Sequence, residues 1–135
     1  MNKLLGAIEE MNCFILTERA AKRSMKNRCL ETVRRGLRLQ GLKLPASGVD
    51  YKTNLAIDCG KALLKSPAKW GWKQVHSPLT GPCLCFFKGC GKLADGRIAG
   101  HVAIYDPATK TIYANQPYTW SQYWANRIIG AFVPG

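Results

Sequence analysis

The chain has 135 residues, of which 47% are hydrophobic and 21% charged, so it is not disordered and is long enough for one globular domain. Its 20 lysines and arginines oppose 8 acidic residues, which gives a formal net charge of +12 and a sequence pI near 9.7. A positive field of this size attracts anionic partners, among them nucleic acid, acidic lipid and acidic cell-wall polymer.

The N-terminal region does not have the pattern of a secretory signal. Its apolar stretch, Leu4 to Ile8, is interrupted by Glu9 and Glu10 before it reaches a useful length. No apolar run approaches the roughly 20 residues of a membrane span. We therefore expect no transmembrane segment and a cytoplasmic protein whose cysteines stay reduced.

The first half of the chain is predicted to be helical. Apolar residues recur at three- and four-residue spacing between residues 3 and 22, which predicts the first helix. A second helix is predicted to begin after the cap residue Asn27 and to end at Gly41. A third is predicted from Tyr51 to Lys65.

The second half changes to short apolar runs separated by proline and glycine. These runs predict five strands: Trp72–Val75, Cys83–Phe87, Ile98–Tyr105, Thr111–Ala114 and Ile128–Val133. Residues 106–110 read as a tight turn, so the third and fourth strands should form an antiparallel hairpin in which Tyr105 pairs near Thr111. Helices followed by antiparallel strands indicate an α+β domain.

Cys29 is the candidate nucleophile. It falls in the first turn of the second predicted helix, where free backbone N–H groups and the helix dipole favour a thiolate, and Arg28 adds positive charge. A single cysteine is usually an inert packing residue. The histidine downstream makes catalysis the better interpretation, with Cys59 as the rival nucleophile.

His101 is the candidate general base. It opens the apolar run Gly-His-Val-Ala-Ile-Tyr-Asp, and a strand holds its first side chain rigidly at the edge of a cleft. The predicted hairpin register places Asn115 across from His101, where its amide can orient the imidazole. Gln116 is the alternative orienting residue, and Asn115 can equally be a solvated strand-end residue.

Other chemistries fit the sequence less well. Cys83, Cys85 and Cys90 form a C-x-C-x4-C cluster that could bind zinc with Cys59 or His76, but the paired C-x2-C spacing of common zinc sites is absent. Buried cysteines on one face of a strand are the favoured interpretation. No paired carboxylates, phosphate-binding glycine loop or metalloprotease helix motif is present. We expect no metal and no cofactor.

A cysteine on a helix followed by a histidine on a strand resembles the CHAP amidases and peptidases, within the papain-like and NlpC-type cell-wall hydrolases. The resemblance rests on residues 24–37 and 100–106, with a weaker match over 51–75, and covers about residues 24 to 134. It implies a papain-like fold with N-terminal helices packed on an antiparallel sheet. Residues 1–23 would be a helical extension and 24–135 the catalytic domain, in one globular unit.

The resemblance also implies roles for individual residues. Cys29 would be the nucleophile, His101 the base and Asn115 the orienting residue, while Ser24 would help line the oxyanion site. Gln116-Pro117 stands where the family often has an aromatic residue, and Gly81-Pro82 inverts a proline-glycine turn, with Cys83 where an acid is common.

These features predict a monomeric hydrolase of peptidoglycan amide bonds, either an N-acetylmuramoyl-L-alanine amidase or a murein endopeptidase. Trp120, Tyr123 and Trp124 either line its substrate groove or cap the core, and Gln116 is a further substrate-binding candidate. The size and charge suit a phage endolysin held in the host cytoplasm before it acts on the periplasmic wall. The alternatives are an antibacterial effector amidase, or a non-catalytic basic module that binds envelope or nucleic acid.

Overall fold

The computed structural model describes residues 2–45 and 55–135, and the fold is stated for those residues. Their helices are α1 (Lys3–Ala20), α2 (Cys29–Leu39), α3 (Ala56–Lys65) and α4 (Gln122–Ala125), with a 3-10 turn at Ala68–Trp70. Their strands are β1 (Trp72–Val75), β2 (Cys83–Phe87), β3 (His101–Asp106), β4 (Thr111–Tyr113), β5 (Pro117–Thr119) and β6 (Ile128–Pro134). None of these helices has the length and apolar content needed to cross a membrane.

The strands form one antiparallel sheet in the order β1-β6-β2-β3-β4-β5. Every residue of the central strand β2 is buried, because both faces of the sheet are covered. On one face, Phe86, Val102 and Ile104 pack against the three long helices. On the other, Phe87 and Tyr105 belong to a second core that includes Trp124 of α4. The predicted α+β class with an antiparallel sheet is confirmed.

The first helix is packed closely into this core. A Cβ atom added at Gly36 would lie 2.6 Å from the Ala7 carbonyl oxygen and 2.6 Å from Met11 Cγ, so the backbones of α1 and α2 approach closely at this glycine. Buried Glu18 near the end of α1 also accepts a hydrogen bond from Arg28 at 2.7 Å. These contacts connect the predicted extension to both ends of α2.

The start of α2 differs from the prediction by one residue. Asn27 takes a left-handed conformation, with φ of 60°, and Arg28 occupies the cap position without a side-chain cap hydrogen bond. Asparagine tolerates this conformation better than most residues, so Asn27 forms the turn rather than the cap. The third helix begins at Ala56 within the described residues, and the part predicted from Tyr51 lies outside them.

The β3–β4 hairpin register also differs by one residue. Tyr105 pairs with Ile112, not with Thr111, and Lys110 in the turn has φ of 50°. The strand itself starts later than predicted, at His101, because Gly100 has φ of 72° and interrupts the extended backbone. The ladder ends at Tyr113, so Asn115 lies in the turn between β4 and β5 rather than opposite His101.

Candidate active site

A cleft of about 420 Å³ lies where the start of α2 meets the start of β3. Cys29, His101 and Asn115, which are far apart in sequence, all line it. The other polar and aromatic lining residues are Asn27, Cys90, Tyr118, Tyr123 and Trp124. The fold therefore brings the three predicted catalytic residues to one concave surface.

Cys29 is the first residue of α2 and is half-buried against both hydrophobic cores. Burial raises the pKa of its thiol, because a thiolate is poorly solvated there. Hydrogen bonds from the backbone of Val102 and Leu30 and from its own backbone act in the opposite direction but do not outweigh burial. In the free protein the sulfur is therefore a thiol at neutral pH.

Arg28 does not compensate for this burial. Its guanidinium donates to Glu18 Oε1 at 2.7 Å and to Glu31 Oε2 at 2.6 Å, which hold it in an ion-pair network. Arg28 is also not among the groups that shift the pKa of Cys29. Burial of the sulfur has the largest effect on that pKa, and it opposes the thiolate that the helix start favours.

His101 is buried, with 8% of its surface exposed, and sits among aromatic rings. Its ring centroid lies 5.0 Å from Trp124, 5.2 Å from Tyr118 in edge-to-face contact, and 6.1 Å from Phe87. Nε2 has no hydrogen-bond partner among the described residues. Burial lowers the pKa of His101 to about 4, so the ring is neutral at pH 7.

Asn115 is buried and its amide is already engaged. Nδ2 donates to the Met25 carbonyl oxygen at 3.0 Å, and Oδ1 accepts from the Tyr118 hydroxyl at 3.2 Å. No hydrogen bond joins Asn115 to His101 among the described residues. Asn115 is connected to the imidazole through Tyr118, whose hydroxyl donates to Oδ1 and whose ring is in edge-to-face contact with His101.

The predicted substrate-binding residues are not all placed at this cleft. Ser24 and Gln116 line a neighbouring groove. The Ser24 hydroxyl accepts a hydrogen bond from the Lys26 N–H at 3.1 Å, and the Gln116 side chain donates to the Tyr118 hydroxyl at 3.1 Å. Trp120 is not among the described residues that line either the cleft or the groove. Its ring packs against Tyr105 in the second core, with the ring centroids 4.5 Å apart.

The rival nucleophile Cys59 lies elsewhere. It is fully buried on α3 and is not among the described residues that line the cleft. Burial raises the pKa of its thiol to about 12, and the sulfur is 3.9 Å from the Pro45 carbonyl oxygen. Arg34 Nη2 donates to the sulfur at 4.0 Å, but burial has the larger effect on its pKa, so Cys59 is a buried thiol away from the cleft.

The remaining cysteines separate into two places. Cys83 and Cys85 are buried on β2 with their sulfurs 3.6 Å apart, whereas Cys90 lines the cleft. Within residues 2–45 and 55–135, no group of three or more histidine, cysteine, aspartate or glutamate side chains could hold a metal ion.

Sequence reasoning missed two features of this site. Tyr118 was not singled out, because the strand that carries it, β5, has only three residues and begins with a proline. Cys90 was grouped with Cys83 and Cys85 by spacing, although the Gly100 N–H donates to its carbonyl oxygen at 3.0 Å and so places it beside the histidine strand.

Comparison with known proteins adds no relative: no family model, no curated protein and no solved structure matches the chain. The chemistry of the site is therefore argued from its residues. A thiol and a neutral imidazole beside a helix N-terminus can carry out nucleophilic acyl transfer, with the imidazole as base.

Proposed function

We propose that the protein is a cysteine amidase or peptidase of the papain-like, CHAP or NlpC type, and that it hydrolyses an amide bond in bacterial peptidoglycan. The observation that carries the proposal is the shared cleft, where Cys29 at a helix start and His101 at a strand start line one concavity with Asn115. Papain-like chemistry needs a cysteine and a histidine on two different rigid elements. The α+β architecture is compatible with such a fold.

The proposed reaction has two halves. In the first, His101 accepts the Cys29 thiol proton as the sulfur attacks the carbonyl carbon, and the imidazolium then protonates the leaving amine. The C–N bond breaks and a thioester to Cys29 remains. In the second, His101 takes a proton from water, the hydroxide attacks the thioester, and the sulfur leaves and recovers the proton.

The protonation states favour general-base catalysis over a preformed ion pair. The low pKa of His101 keeps its ring neutral, and the raised pKa of Cys29 keeps its sulfur protonated. The proton therefore moves during attack rather than before it. Backbone N–H groups at the start of α2, including that of Cys29, are the donors proposed for the developing oxyanion.

The net charge of +12 supports an anionic polymer as substrate, because a cationic protein accumulates on an acidic cell wall. We propose a phage endolysin that is made in the host cytoplasm and acts on the periplasmic wall. An effector amidase delivered into a competing bacterium would use the same chemistry.

The test is hydrolysis of purified murein by the wild-type protein, followed by mass spectrometry of the released fragments. Cys29→Ala and His101→Ala should abolish hydrolysis, because one removes the nucleophile and the other the base. Cys59→Ala is the matched control and should stay active, since Cys59 lies outside the described cleft lining. Activity that survives in Cys29→Ala but is lost in Cys59→Ala would overturn the assignment of the nucleophile.

The second candidate function is a non-catalytic module that binds envelope or nucleic acid. The excess of lysine and arginine favours it, because such charge alone supports salt-dependent binding to polyanions. DNA binding that weakens with salt and is unchanged in Cys29→Ala, together with no murein hydrolysis by the wild type, would favour this function over the enzyme.

A further inference from the structure

A second groove, of about 510 Å³, adjoins the proposed catalytic cleft. Both concavities are lined by Asn27, Asn115 and Tyr118, so a chain that lies in one can continue into the other. The lining of the second groove also includes Arg19 and Arg23, from the end of α1 and the loop that follows it. We call this concavity the basic groove.

The basic groove has an unbalanced positive charge. Arg19, Arg23 and Lys26 line it, and no acidic side chain is among its described lining residues. Glu18 lies nearby, but it is buried and already bonded to Arg23 and Arg28. Within the described part of the chain, neither Arg19 nor Lys26 forms an ion pair.

The loop of Ser24 and Met25, which lines the basic groove, is held in place by hydrogen bonds. The Met25 carbonyl oxygen accepts from Asn115 Nδ2 at 3.0 Å, and the Ser24 carbonyl oxygen accepts from Arg28 Nη1 at 3.1 Å. A loop fixed at two points presents its side chains with little ordering cost when a ligand binds. The same Asn115 contact joins the groove to the cleft.

A purely structural role explains only part of this charge. Cations in the last turn of a helix compensate its dipole, and Arg19 is placed to do so. Lys26 lies six residues beyond the end of α1, so it does not compensate the dipole of that helix. It is nevertheless exposed on the same groove.

We infer that the basic groove binds a carboxylate of the substrate's peptide portion while the scissile amide lies between Cys29 and His101. This inference rests on the proposed function for the identity of the substrate. A guanidinium and an ammonium group suit a carboxylate, and a peptide that runs from cleft to groove passes Asn115 and Tyr118 on the way. The predicted N-terminal extension thereby supplies substrate recognition.

The test is equilibrium binding, measured by calorimetry with the non-hydrolysing Cys29→Ala protein as the common background. The ligands are a murein stem-peptide fragment with free carboxylates and the same fragment with its carboxylates amidated. In this background, Arg19→Gln with Lys26→Gln removes two groove charges. Lys69→Gln with Lys73→Gln removes two exposed charges near β1 and is the matched control.

The variant with Arg19→Gln and Lys26→Gln should bind the free-carboxylate fragment about tenfold more weakly than the Cys29→Ala background protein does. Each lost pair of opposite charges contributes roughly a threefold loss of affinity. It should bind the amidated fragment as the background protein does, and the control should bind both without change. Equal weakening in the control, equal affinity for the two fragments, or no binding of either would overturn the inference. A single-stranded oligonucleotide is titrated in the same way as a third ligand. Affinity that the groove variant loses for this oligonucleotide but not for the peptide would assign the groove to nucleic acid instead.

Hydrolysis by the protein with Cys29 intact is measured separately. Carboxylate-dependent binding without hydrolysis would support the basic groove and refute the proposed function. Hydrolysis that is equally fast with and without the groove charges would support the function and refute the groove.

Discussion

Burial of His101 should make the fold sensitive to mild acid. The pKa of this histidine falls from 6.5 to about 4 on burial, so the unfolded chain binds a proton more tightly than the folded chain between those values. The stabilisation is complete above pH 6.5 and is lost as the pH falls toward 4. From the two pKa values, the free energy of unfolding should drop by about 2 kcal/mol between pH 7 and pH 5.

The assay is urea unfolding of the wild type, His101→Gln and His76→Gln at both pH values. Each protein is compared with itself at the other pH, so a change in absolute stability caused by the substitution cancels. At pH 5 the carboxylates of Glu18 and Glu31, whose pKa values are lowered by arginine partners, are still largely ionised in both states. They therefore contribute little to the difference.

His101→Gln should lose nearly all of the drop in unfolding free energy between pH 7 and pH 5. The control His76→Gln should keep it, because His76 is exposed and is the only other histidine. An acid sensitivity in His101→Gln equal to that of the wild type would refute the reasoning that burial sets the pKa of this imidazole.

Three further predictions concern the site and its support. The pH profile of kcat/KM should have an acid limb with a midpoint near 4, because neutral His101 is the proposed base; a limb near 6.5 would contradict a desolvated ring. Tyr118→Phe keeps the ring but removes the hydroxyl that donates a hydrogen bond to Asn115. The free energy of unfolding in urea should therefore fall by about 1 kcal/mol, and kcat should fall severalfold. An unchanged kcat would exclude a positioning role for the Tyr118 hydroxyl. Gly36→Ala should destabilise the fold by about 1–3 kcal/mol in urea unfolding, because its methyl group would meet the Ala7 carbonyl oxygen; no loss would mean that α1 is a loosely attached extension.

The helices and the central strands could be predicted because their apolar spacing is regular. The apolar spacing over residues 3–22 predicts a helix, and the apolar run Cys83–Phe87 predicts a strand. The structure has α1 at Lys3–Ala20 and β2 at Cys83–Phe87. The one-residue errors come from backbone conformations that periodicity does not report. Asn27 and Lys110 both take positive φ, which displaced the start of α2 and shifted the hairpin register.

That Cys29, His101 and Asn115 lie near one another could be predicted from the sequence, but the electrostatics of their cleft could not. Cys29 and His101 share a cleft, as the sequence suggested, because a helix start and a strand start can be located from local signals. Their protonation depends on burial by residues distant in sequence, such as Trp124 against the imidazole. The connection of Asn115 to the imidazole likewise depends on Tyr118, which lies on a short strand that no apolar pattern predicts.

The central claim is that Cys29 forms the covalent bond to the substrate. The most direct measurement is intact-protein and peptide mass spectrometry after the protein is mixed with murein fragments and quenched in acid, which preserves thioesters. We predict an added mass equal to the acyl portion of the cleaved fragment, located on the peptide that contains Cys29 and absent from Cys29→Ala. An acyl adduct on Cys59 or Cys90, or hydrolysis that continues in Cys29→Ala, would contradict the account.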